Sequence, residues 1–77
     1  MNKGYYFNDK KINYCLFRDY LYKTCKFIIL DSADSVNSYE VKHIEELAIE
    51  KMNDLFNKMK NEGAIIEYKK LKFEIIK

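Results

Sequence analysis

Residues 38–62 read SYEVKHIEELAIEKMNDLFNKMKNE and are followed by Gly63, and this stretch decides the fold. Its apolar side chains recur every three or four residues, a spacing that lays one apolar stripe along an α-helix. The stripe comprises Val41, Ile44, Ala48, Met52, Leu55 and Met59. Glycine suits the left-handed conformation that closes a helix, so we predict one long amphipathic helix from Ser38 to Glu62.

The segments that flank this helix are rich in Tyr, Phe, Ile and Leu, side chains that favour β-strands. Before the helix we predict three strands, at Tyr5–Phe7, Ile12–Phe17 and Tyr22–Leu30. Asn and Asp tolerate the positive φ of a tight turn, so residues 8–11 are predicted to join the first two strands in a hairpin. A long helix with one apolar stripe needs a flat partner, and the strands supply it.

After Gly63 the chain returns to strand composition, and its apolar residues change parity around Lys69 and Lys70. A bulge in one long strand or a hairpin at the two lysines would produce that change, and we favour the bulge because two lysines suit a tight turn poorly. The predicted fold class is therefore α+β in a single domain, residues 1–77. A small antiparallel sheet in β-β-β-α-β order, its last strand bulged or split, is packed on one face by a single long amphipathic helix.

Both faces of the predicted sheet are apolar. One face carries Cys15, Phe17, Cys25, Phe27 and Ile29, and the other carries Ile12, Tyr14, Leu16, Tyr22, Ile28 and Leu30. A single helix covers only one face, so the uncovered face implies a partner: a second copy, another protein or stacked bases. We predict a protein partner first, because tyrosine buries a large area at protein interfaces at low entropic cost. The predicted partner-binding residues are Tyr14, Arg18, Tyr20, Tyr22 and Lys26.

The alternative is a single-stranded nucleic-acid or nucleotide binder. Aromatic rings on a sheet with cations around them suit the stacking of bases and contact with phosphates. In this alternative the same tyrosines act with Lys10, Lys11, Lys23 and Lys70. The net charge of only +2 and a single arginine weigh against it.

Residue types that carry chemistry are few and scattered. His43 is the only histidine and falls opposite the apolar stripe, so we interpret it as an exposed helix residue. Asp31 and Asp34 suit turns and capping better than a metal site, which needs further oxygen ligands. Cys15 and Cys25 lie opposite each other in the predicted sheet and are interpreted as buried packing residues. We therefore predict no enzymatic activity, no metal and no cofactor.

No apolar run approaches the ~20 residues of a membrane span, and we predict a cytoplasmic location, in the host cell if the protein is phage-encoded. Lys, Asn, Ile, Tyr and Phe make up 41 of the 77 residues, the bias of an AT-rich coding sequence. In this bias, in size and in layout the chain resembles many small phage or mobile-element proteins, including anti-CRISPR and other anti-defence inhibitors. The resemblance implies an inhibitor of a host protein, and because it includes no motif it assigns no residue.

Overall fold

The computed structural model describes residues 2–32 and 41–77. They form two strand hairpins with two helices between them in the chain, and one antiparallel sheet in the order β2-β1-β4-β3. The elements are β1 Gly4–Phe7, β2 Lys10–Ile12, α1 Tyr14–Ser32, α2 Val41–Glu62, β3 Ile66–Tyr68 and β4 Leu71–Ile76. The predicted fold class, a small antiparallel sheet in an α+β arrangement, is confirmed, although the structure has two helices where one was predicted.

The first hairpin forms where the sequence predicted it. Asn8 and Asp9 have φ values of 50° and 69°, the left-handed conformations that a two-residue hairpin turn requires. This turn is also attached to β4, because the Lys72 N–H donates to Asn8 Oδ1 over 2.8 Å. Lys72 Nζ lies 3.0 Å from Asp9 Oδ1, and this hydrogen bond raises the pKa of Lys72 above its ordinary value. The β1–β2 hairpin and the β3–β4 pair are thus joined through β1 and β4, which lie at the centre of the sheet.

Residues 14–32 form helix α1, so the predicted strands Ile12–Phe17 and Tyr22–Leu30 are wrong, apart from Ile12 itself, which ends β2. Asn13 caps the helix: its Oδ1 accepts the Leu16 N–H over 2.8 Å. The stretch is rich in aromatic and β-branched residues with high strand propensity. Tertiary burial of one helical face outweighs that propensity.

Helix α2 is the helix that the sequence predicted, although its predicted first residues, 38–40, lie outside the described residues. The predicted stripe is its buried face: Ile44, Ala48, Met52 and Met59 are all buried. Gly63 ends the helix with φ of 70°, and its N–H donates to the Met59 carbonyl over 3.1 Å. This is the left-handed glycine cap expected at the end of the stripe.

The chain after Gly63 forms a second hairpin, so the favoured bulged strand is wrong and the split strand is confirmed. Lys69 takes the left-handed conformation at the turn, with φ of 55°. Its Nζ lies 3.1 Å from Asp31 Oδ2 at the end of α1, and the Tyr68 hydroxyl donates to the same carboxylate. These contacts hold a turn that two lysines would form poorly by themselves.

Both helices cover the same face of the sheet. Phe17 of α1, Met52 of α2 and Phe73 of β4 belong to one buried core, and Phe17 stands edge-on to Phe73 with ring centroids 5.7 Å apart. On the opposite face Lys11 and Glu74 flank Tyr6 as cross-strand neighbours. The predicted second apolar sheet face is therefore wrong: the residues assigned to it belong mainly to α1, and the outer face carries charges.

Candidate protein-binding surface

Helix α1 aligns four of the five predicted partner-binding residues along one side. Tyr14, Arg18, Tyr22 and Lys26 follow one another at intervals of four residues, so they form a continuous row, here called the α1 strip. The Arg18 guanidinium carbon lies 5.6 Å from the centroid of the Tyr14 ring, and Lys26 Nζ lies 5.5 Å from that of Tyr22. The strip thus consists of two pairs, each with a cation over an aromatic ring.

Three residues of the α1 strip, Tyr14, Arg18 and Tyr22, form one wall of a groove between the two helices. The groove has a volume of about 400 Å³ and is lined by Tyr14, Cys15, Arg18, Asp19, Tyr22, Ile49 and Met52. Ile49 of α2 is 46% exposed and Tyr14 is 42% exposed, so large apolar groups on both walls remain accessible to a partner. Exposed aromatic and aliphatic groups beside an arginine are the composition of an interaction site.

Tyr14 is held in place by rings from two other elements. Its centroid lies 5.2 Å from that of Tyr5 in β1 and 5.9 Å from that of Phe56 in α2. Phe56 stands edge-on to Tyr14, and Tyr5 also contacts Phe17 at 5.2 Å. One end of the groove is therefore built on the core, which fixes the position of an exposed ring before any partner binds.

The described lining residues of the groove include one cation, Arg18, and one anion, Asp19. Asp19 is the only carboxylate among the described lining residues, and Lys23 Nζ lies 3.0 Å from its Oδ2, one helical turn away. The guanidinium of Arg18 lies instead over an aromatic ring, where it can also donate to a carboxylate on a partner. A carboxylate on a partner surface would therefore complement Arg18.

The fifth predicted residue, Tyr20, lies elsewhere. Its ring centroid is 4.9 Å from that of Phe7 in β1, and the side chain packs against the core beneath α1. The lysines of the nucleic-acid alternative are distributed over three places: Lys10 and Lys11 on β2, Lys23 on α1 and Lys70 in the second hairpin turn. The structure does not gather these four around the tyrosines of the α1 strip.

The two cysteines differ in environment: the prediction of a buried packing residue is confirmed for Cys25 and wrong for Cys15, and their predicted cross-strand position is wrong because both lie on α1. Cys15 is exposed and lines the groove, whereas Cys25 is buried between the helices. Burial raises the pKa of the Cys25 thiol to about 11, an effect that nearby Lys51 partly opposes. Cys25 is therefore a packing residue that stays protonated at neutral pH.

The remaining polar candidates lie apart from the groove. His43 is exposed on α2, as predicted. Asp31 lies in the last turn of α1 and binds the Tyr68 hydroxyl and Lys69, so it tethers the second hairpin instead of capping a helix start. Asp34 lies outside the described residues. Within residues 2–32 and 41–77 no group of three or more His, Cys, Asp or Glu side chains could hold a metal ion.

Sequence reasoning missed Ile49 and Met52, which complete the groove from α2. Ile49 is not one of the predicted stripe residues, and no local pattern indicates which residues of α1 it faces. No protein-family model, curated protein or solved structure matches this chain. In the described part of the chain, neither helix combines the length and apolar character needed to cross a bilayer.

Proposed function

We propose that this chain is a small binding protein that docks a protein partner in the groove between α1 and α2. The observation that carries the proposal is the position of Tyr14, Arg18 and Tyr22 in one row opposite exposed Ile49. Tyrosine and arginine are the residue types that most often dominate interface energetics, and rings that are positioned before binding lose little entropy.

The partner should present a carboxylate beside an apolar side chain. Arg18 would meet the carboxylate, while the apolar side chain would enter between Tyr14 and Ile49. Complementary charge would raise the association rate, and the aromatic contacts would slow dissociation.

At the finer level we propose that the partner is a host protein and that the chain inhibits it in a stoichiometric complex, as phage anti-defence proteins do. What supports this level is general character alone: 77 residues and the composition of an AT-rich coding sequence. It requires a further measurement, in which the activity of the identified partner is compared with and without an equal amount of the chain.

Affinity capture with strip variants tests the proposal. The tagged chain is incubated with a low-GC bacterial lysate, with and without nuclease, alongside Arg18→Glu and Tyr22→Ala. Phe27→Ala is the matched control, because Phe27 is a 58% exposed aromatic of α1 outside the groove lining. We expect one protein in near-equal amount with the wild-type and Phe27→Ala chains, and its loss with both strip variants.

Two outcomes would contradict the proposal. Material that disappears on nuclease treatment and binds less tightly as salt rises would indicate the nucleic-acid alternative. A captured protein whose amount is the same with all four chains would show that the α1 strip is not the docking surface.

A titration with the purified partner measures how much each substitution weakens binding. Each hot-spot truncation should weaken binding about 30-fold, the equivalent of ~2 kcal/mol.

A further inference from the structure

A second cavity lies at the end of the sheet where β1 begins, β4 ends and the last turns of α2 pass over them. It has a volume of about 400 Å³ and is here called the end cavity; its lining residues are Lys3, Gly4, Tyr5, Phe56, Lys60, Ile75, Ile76 and Lys77. Cavities of about 300–1,000 Å³ are the usual size of small-molecule sites. The end cavity therefore has room for a ligand of modest size.

The interior of the end cavity is aromatic and aliphatic. The rings of Tyr5 and Phe56 lie within 26° of parallel with centroids 6.2 Å apart, and Ile75 packs against the same core. Both rings are fixed by further aromatic neighbours, Tyr5 by Phe17 and Phe56 by Tyr14. A flat apolar group can therefore contact surfaces that are already in position.

The cations at the end cavity come from three separate elements. Lys3 precedes β1, Lys60 lies in the last turn of α2 and Lys77 follows β4. Among the lining residues that the structure describes there is no aspartate or glutamate to neutralise them. Three lysines that line one apolar recess are complementary to a single acidic group attached to an apolar body.

We propose that the end cavity binds a compact aromatic anion, with its ring against Tyr5 and Phe56 and its carboxylate, sulfonate or phosphate among Lys3, Lys60 and Lys77. This site is separate from the proposed protein-docking groove and does not depend on it. Small size favours this occupant over an extended peptide, because a recess of about 400 Å³ accepts a small aromatic body with one acidic group.

The probe for the test is 8-anilinonaphthalene-1-sulfonate, an aromatic anion, and N-phenyl-1-naphthylamine serves as its uncharged analogue. Each is titrated into the folded ¹⁵N-labelled chain, and amide shifts in two-dimensional NMR spectra locate the binding. We expect saturable binding of the sulfonate with one equivalent, and shifts concentrated at residues 3–5, 56–60 and 75–77. The uncharged analogue should bind at least about tenfold more weakly, because it cannot use the lysines.

Matched lysine variants supply the second readout. Lys60→Gln should weaken sulfonate binding about threefold, and the combined Lys3→Gln and Lys60→Gln changes about tenfold. Lys58→Gln is the control, because Lys58 lies on the same helix but pairs with Asp54 at 3.6 Å and does not line the end cavity. This control should leave the affinity unchanged.

Three results would overturn the proposal. The first is no saturable binding of the sulfonate, and the second is a set of shifts centred on the groove between the helices. The third is equal binding of the charged and uncharged probes with no effect of Lys60→Gln. In a parallel titration with a glutamate-rich peptide, shifts at the end cavity that the sulfonate fails to produce would assign the site to a protein segment instead. A negative result in these titrations does not bear on the proposed protein-docking groove, because that proposal is tested with substitutions at different residues.

Discussion

Two phenylalanines on α1 provide the sharpest test of the fold. Phe17 is fully buried, with ring neighbours Tyr5, Phe56 and Phe73, whereas Phe27 is 58% exposed. Replacing a buried phenylalanine by alanine costs about 3–5 kcal/mol. At roughly 0.05–0.15 kcal/mol per residue, a chain of this length has only about 4–12 kcal/mol of total stability. Phe17→Ala could therefore leave much of the chain unfolded, so leucine is the better substitution.

Phe17→Leu removes the ring contacts but keeps an apolar side chain, and we expect a loss of about 1–2 kcal/mol in the free energy of unfolding. Phe27→Leu should change it by less than about 0.5 kcal/mol. Urea unfolding followed by circular dichroism at 222 nm measures both values. In the two-strand arrangement expected from sequence, the two phenylalanines share one sheet face and should behave alike. Equal losses for the two variants would therefore refute helix α1 and its packing.

The remaining predictions concern thiols and backbone. In the native protein Ellman's reagent should react rapidly with Cys15 alone, and with Cys25 only as fast as the chain unfolds, because burial raises the pKa of Cys25 to about 11. Because the folded chain holds the Cys25 proton more tightly than the unfolded chain does, the protonated thiol should stabilise the fold fully below pH 9. This stabilisation should decline between pH 9 and 11. In urea titrations at several pH values, a Cys25→Ala variant should lack the corresponding decrease in the free energy of unfolding. Gly63→Ala should cost about 1 kcal/mol in unfolding free energy through the left-handed backbone alone, because an added Cβ meets nothing within 4 Å; no loss in the urea midpoint would contradict the glycine cap.

The parts of the fold that sequence predicted are those with a strong local signal. The stripe of α2, the glycine after it and the Asn8-Asp9 turn each specify their conformation within a few residues. Helix α1 lacks such a signal apart from the Asn13 cap. Its aromatic and β-branched residues suit strands, and the helix is stabilised by burial of one face against α2 and the sheet, which local propensity does not reveal.

The predicted sheet and the observed helix both bring Tyr14 and Tyr22 together. In the predicted sheet they lie on two neighbouring strands and share one face, whereas in α1 their separation of eight residues, close to two helical turns, places them on one side. Tyr14 and Tyr22 therefore share one surface in the structure, although the predicted strands are wrong. Tyr20 precedes Tyr22 by only two residues and therefore falls on another side of α1, where it packs against Phe7. Ile49 and the end cavity depend on how distant segments pack, and sequence periodicity carries no information about that.

Site-specific photo-cross-linking tests whether the groove beside the α1 strip is the protein-docking surface. A photoreactive benzoylphenylalanine replaces exposed Cys15 in the groove in one chain and exposed Phe27 in another, so that the binding residues Tyr14, Arg18 and Tyr22 stay in place. Each chain is irradiated in the nuclease-treated lysate. We expect one covalent adduct with a single protein from position 15 and none above background from position 27. An adduct from position 27 alone, or the absence of any protein adduct at position 15 while capture still succeeds, would contradict this docking surface.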